Sequence, residues 1–119
     1  MTAYIVAHVE IRDWDAYRQY MRHTPRVIHK FGGRFIARGG ETVTLEGSEE
    51  TLRVVLIEFP SMDQAKSFYS SAEYARTKMF RQGAGAAKFV AIDGYPIEQW
   101  EESVRESARL APASPGSVT

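Results

Sequence analysis

Two arginines, Arg34 and Arg38, stand four residues apart in the run Gly32-Gly33-Arg34-Phe35-Ile36-Ala37-Arg38-Gly39-Gly40. On a regular strand that spacing puts both guanidinium groups on one face. A planar guanidinium grips a carboxylate, an enolate or a phosphate through paired N–H donors, so the run reads as an anion site. Glu58 closes a neighbouring apolar run and is expected opposite or close to Arg38, where it would orient that guanidinium or move a proton. The same pair would equally serve as a structural ion pair that sets register or joins subunits. Tyr69 and Tyr74 flank a helix restart, where outward amide donors favour an anionic ligand. As core tyrosines with a hydroxyl at the rim they would be at home without one.

The histidines add little to this constellation. His8 shares a strand face with Tyr4 and has the chemistry of a general base, His29 falls in the last turn of a helix where a cation is favoured, and His23 has no evident partner. His8 with Glu10 supplies at most two of the three converging ligands a metal needs, so no metal site is expected. No Ser-His-Asp order, deaminase signature or dinucleotide fingerprint occurs, which leaves the catalytic residues unassigned. Gly83-Ala84-Gly85-Ala86-Ala87-Lys88 follows a helix and precedes a strand, the reverse of the phosphate-loop context.

The elements that must position these residues follow from periodicity. Ala3 to Ile11 alternates, with Ile5, Ala7, Val9 and Ile11 on one face and Tyr4, Val6, His8 and Glu10 on the other. Asp13 offers an N-cap, and Trp14, Tyr17, Met21, Thr24, Ile28 and Phe31 draw one helical stripe that Gly32 closes in the left-handed conformation. Pro25 is expected to kink that helix or restart it, with Thr24 as a second cap. A strand from Arg34 is expected to bulge at Gly39-Gly40 and to resume pairing over Thr42 to Glu46, before a turn over Gly47 to Thr51. Leu52 to Phe59 is almost continuously apolar, as a central strand should be, and Pro60 ends it. Capping boxes at Ser61-Met62-Asp63-Gln64 and Ser70-Ser71-Ala72-Glu73 start two helical pieces that run to Gln82, and Lys88 to Asp93 makes the last core strand.

The resulting order, β-α-β-β-α-β, predicts an α+β fold: an antiparallel sheet with helices on one face. Its other face, with Val6, Ile36, Val54, Leu56, Val90 and Ile92, is too apolar to be left to water, and a second subunit is the simplest cover. After Tyr95-Pro96 a new stripe of Ile97, Trp100, Val104 and Ala108 predicts an extra helix, packed on the core or across a dimer. The expected division is a domain over 1–95, a helical extension over 96–111 and a flexible tail over 112–119. In all 119 residues, fifteen bases balance fifteen acids and there is no cysteine. Nucleic acid is therefore not an expected partner, and thiolate, disulfide and cysteine-zinc chemistry are excluded. With no signal segment or membrane span expected, a cytoplasmic location is the default.

The glycine-bracketed arginine run, then Leu45-Glu46-Gly47, then Arg53-Val54-Val55-Leu56-Ile57-Glu58-Phe59-Pro60-Ser61, then Ala65, Phe68-Tyr69 and Ser71-Ala72-Glu73-Tyr74, resembles the bacterial domain-of-unknown-function 1330 family over about residues 3 to 95. The resemblance implies a ferredoxin-like subunit of the dimeric α+β barrel superfamily, which includes cofactor-independent monooxygenases, muconolactone-isomerase-like enzymes and haem proteins. It carries no assigned reaction with it. Two departures stand out: Gly83-Ala84-Gly85-Ala86-Ala87 replaces a charged segment before the last strand, and the helix from Ile97 lies beyond the family's usual end. The function expected is a homodimeric small-molecule-binding protein, with an enzyme acting on a small acidic or enolisable metabolite and a non-catalytic dimerisation or ligand-sensing module both open. Arg38, Glu58, Arg34, His8, Tyr69 and Tyr74 are the candidate lining. No cofactor is expected; haem binding, as in some relatives of the fold, is a third possibility that would need an axial histidine such as His8 facing the cavity.

Overall fold

A computed structural model describes residues 1–112 of the chain, and all but the first residue of the expected tail lies outside them. The elements are β1 (Ala3–Ile11), α1 (Trp14–Lys30), β2 (Arg34–Arg38), β3 (Arg53–Phe59), α2 (Met62–Ser70), α3 (Ala72–Lys78), β4 (Gly85–Asp93) and α4 (Ile97–Arg109), with a 3-10 turn over Met79–Arg81 between α3 and β4. The strands form one antiparallel sheet in the order β2-β3-β1-β4. This is the ferredoxin-like arrangement, with α1 to α3 on one face.

Alternation in β1 does the sorting. Ala3, Ile5, Ala7 and Val9 are buried against the helices, while Tyr4, Val6 and His8 look out from the open face. Phe59, Phe68 and Tyr74 stack in series between sheet and helices, with ring centroids 5.2 and 4.6 Å apart, and none is measurably exposed. Each such ring contributes about 1.5–3 kcal/mol by leaving water. The first strand, the Asp13 cap and the Gly32 stop stand as expected: Asp13 accepts from the Ala16 amide, and Gly32 has φ +83°.

Five local expectations are corrected. Pro25 does not restart the helix but lies inside an unbroken α1, and Thr24 is not a second cap: its hydroxyl donates to the Tyr20 carbonyl one turn back. The bulge in β2 falls at Ile36, where the register shifts between Phe35 and Ala37, and not at Gly39-Gly40. Beyond Arg38 the chain does not resume pairing over Thr42 to Glu46 but runs as an irregular loop to Arg53. The second capping box is one residue out of phase, since Ser71 itself caps α3 by accepting from the Tyr74 amide at 3.0 Å. Finally, β4 begins at Gly85 and not Lys88. Gly85 faces Ile11, and a Cβ there would fall 1.7 Å from the Glu10 carbonyl oxygen.

Candidate functional site

Pro25 has no amide hydrogen, so the Met21 carbonyl one turn earlier in α1 lacks its helical donor. Arg38 supplies a replacement, its Nη2 donating to Met21 O at 2.7 Å. The Ile36 bulge is what makes that reach possible. Arg34 stands opposite Glu58 and Phe35 opposite Ile57, but past the bulge Ala37 stands opposite Leu56 and Arg38 opposite Val55. Val55 belongs to the helix-covered face and Glu58 to the open one, so one extra residue sends the two arginines to opposite sides of the sheet. The expected shared face, and the expected Arg38–Glu58 pair, are both corrected. Glu58 instead takes Arg34, Nε to Oε1 at 3.0 Å, on the open face.

On the helix side Arg38 meets Arg53, the first residue of β3. A cleft runs between α1 and the β2–β3 edge, lined by Tyr17, Tyr20, Met21, Phe35, Arg38 and Arg53 over a floor that includes Val9, Val55 and Phe89. Arg38 lays its guanidinium carbon 4.2 Å from the centre of the Phe35 ring. Arg53 holds its own 5.9 Å from the rings of both Trp14 and Tyr17, and its Nε is buried without a hydrogen-bond partner. Gly39, at φ +67°, leaves the room: a Cβ there would lie 2.0 Å from Arg53 Nη1. Burial, and then the charge of Arg53, hold the Arg38 guanidinium below its ordinary pKa.

Behind the cleft sits a polar cluster. The Tyr20 and Tyr74 hydroxyls are 2.7 Å apart, and Arg81 Nη2 donates to Tyr74 Oη at 3.3 Å. The Arg81 guanidinium lies 5.2 Å from the Tyr20 ring and 5.0 Å from the Phe89 ring, and its Nε is again buried and unpartnered. Burial, and for Tyr20 also the neighbouring Tyr74, push the Tyr17 and Tyr20 hydroxyls above the usual phenol range. Both therefore keep their protons at neutral pH.

Among the described residues, none of the ion pairs includes Arg38, Arg53 or Arg81. No carboxylate or histidine lines the cleft. The arrangement can therefore attract an anion and donate hydrogen bonds to a developing oxyanion, but it holds no general base. The cleft measures about 20 Å³, room for one water, so a larger ligand has to move lining side chains aside.

The remaining expected residues lie elsewhere. His8 is on the open face, its Nδ1 3.4 Å from Glu50 of the loop after β2. Tyr69 is 37% exposed beside Phe89, with its hydroxyl accepting from Lys78 Nζ at 3.1 Å. Tyr74 is fully buried and reaches the cleft only through Tyr20. Of the six, Arg38 alone lines it. Arg53, Tyr17, Tyr20 and Arg81 were missed, although Arg53 shares the parity of Val55 and Ile57 and so belongs to the buried face. Among the described residues no group of three or more histidines, aspartates or glutamates is placed to hold a metal ion, and no helix is long and apolar enough to cross a membrane.

Comparison with known proteins agrees with this geometry at the level of fold. The model of the DUF1330 family, described as a domain of unknown function, matches residues 2–95. No curated protein matches. Among solved structures, a protein of unknown function from Rhodopseudomonas palustris superposes with a TM-score of 0.65 at 19% identity, covering 80% of this chain and 83% of that one. SnoaB, a cofactor-independent oxygenase from Streptomyces nogalater, reaches 0.58 at 8% identity over 80% and 94% of the two chains. A dimeric ferredoxin-like protein of unknown function from Jannaschia sp. CCS1 reaches 0.55 at 10% identity over 79% and 100%.

Proposed function

We propose the following reading for this chain, which belongs to the DUF1330 family: it acts as a homodimer, joined through the open sheet face, that binds a small acidic or enolisable metabolite in the cleft between α1 and the β2–β3 edge. The observation that carries it is the meeting of Arg38 and Arg53 on an apolar cleft that no carboxylate enters. Two neighbouring guanidinium groups without acidic partners repel each other, and an anionic ligand relieves that repulsion. Phe35, Tyr17 and Met21 would pack the ligand's apolar body. The homodimer is supported by the apolar open face and by solved neighbours described as dimeric.

Two activities fit such a site. Donors aimed at an oxyanion suit an enzyme whose substrate enolises readily, as the likeness to a cofactor-independent oxygenase suggests. The lack of a base among the lining residues favours the second reading, a ligand-sensing module that binds without turnover.

Calorimetric titration with a panel of small aliphatic and aromatic carboxylates, against their neutral amides, tests the site. Binding of at least one acid but not its amide, weakened tenfold or more by Arg53→Met, is the expected result. Equal binding of acid and amide, or an Arg53→Met variant that binds as well as the parent, would sink the reading. Loss of the α-proton signal of a bound acid in D2O separates the enzyme from the sensor.

A further inference from the structure

The helix α4 stands outside the family match, which ends at residue 95, and has no surface of its own to rest on. Ile97 is 60% exposed, Trp100 55% and Val104 47%. Every member of α4 is exposed except Ser103, which is partly covered and whose hydroxyl meets that of Tyr95 at 2.7 Å. The stand-off shows in the molecule's dimensions. The radius of gyration is 18.9 Å and the longest axis 59 Å, whereas a compact chain of this length should have a radius of about 13.5 Å. A lone helix of 13 residues is marginal in water, because isolated helices shorter than about 12–15 residues rarely hold without packing. Its apolar stripe must therefore be covered from outside its own chain.

We infer that α4 is an exchanged arm whose Ile97, Trp100 and Val104 pack on the second copy of this chain, extending the interface at the open sheet face. The inference rests on the homodimer proposed above. Three observations select a second copy over another partner. Along the chain the stripe follows directly on Val90 and Ile92 of β4, 46% and 56% exposed, and on Tyr95, 61% exposed. A surface continuous with the two-fold contact is presented by both copies at once and is covered reciprocally. Charge points the same way: α4 holds four glutamates and two arginines, leaving thirteen bases and eleven acids in the rest of the chain. The arm is thus acidic and the body of its twin basic. Size is the third argument. The open face of four strands of five to nine residues presents only every second residue, roughly a dozen positions, whereas a specific interface uses about 20–30 a side. The arm supplies much of the difference.

The full chain carrying Trp14→Phe leaves Trp100 as its one tryptophan. Sedimentation and acrylamide quenching of this variant across a dilution series read assembly and arm together. The expected result is a dimer in which Trp100 is several-fold protected from quencher, protection lost as the dimer dissociates, and a dimer weakened at least tenfold by adding Val104→Glu. A dimer with Trp100 freely quenched and indifferent to Val104→Glu overturns the arm and leaves the homodimer standing. A monomer at every concentration overturns both. Protection that survives dissociation places α4 on its own body and overturns the exchange alone.

Discussion

Arg38 shows how one backbone atom decides what a side chain is for. Its partner is a carbonyl that Pro25 has left without a helical donor, and so its guanidinium turns to α1 and to Arg53. Gly39 is the second determinant. An alanine there would strain the left-handed backbone at φ +67° and push the Arg53 guanidinium from its place. Gly39→Ala is expected to cost about 1 kcal/mol in urea titration and to lower anion affinity more than stability, since the displaced atoms end a flexible side chain. The buried phenols predict the alkaline behaviour. Tyr17 and Tyr20 hold their protons more tightly when folded than the ordinary value of 10.0. Their contribution is complete below that value and is lost as pH rises above it and the unfolded chain ionises first. Stability measured from pH 8 to 11.5 should fall with a slope that Tyr20→Phe reduces; an unchanged slope would show that these phenols are not the titrating groups.

At the scale of elements, the two helices that close the core depend on serine caps more than on length. Ser61 accepts from the Gln64 amide at 3.1 Å and Ser71 from the Tyr74 amide at 3.0 Å. α3 has only seven residues, so Ser71→Ala should cost about 1 kcal/mol or slightly more and should loosen Tyr74, which would appear as faster amide exchange through α3 and the turn to Arg81. Strand β2 teaches the opposite lesson. Gly39-Gly40 looks like the natural place for a bulge, yet the register breaks at Ile36, which no composition rule marks. That single offset explains why Arg34 and Arg38, four apart in the chain, never share a face.

For the whole molecule, the open sheet face and α4 present more apolar surface than a monomer normally leaves to water. Val6 faces Leu56 on one side and Val90 on the other at the middle of that face. Val6→Glu should convert the dimer to a monomer in light scattering while retaining the far-ultraviolet dichroism of the fold, and the parent's melting temperature should rise with protein concentration where the variant's does not. A parent whose melting temperature is independent of concentration would remove the dimer from the account. The element order, the antiparallel sheet, the buried face of β1 and the helix stops were legible in the residues alone, because alternation, caps and glycine conformations are local properties written within a few residues. Arg38 was marked there too. It took the folded chain to show that Arg38 meets Arg53 and not Glu58, that His8 lies across the sheet from the cleft, and that α4 leaves its own body. Those outcomes depend on a bulge, on a carbonyl freed in another element and on the path of a loop, and pairing across the sheet turns a one-residue offset into a change of face.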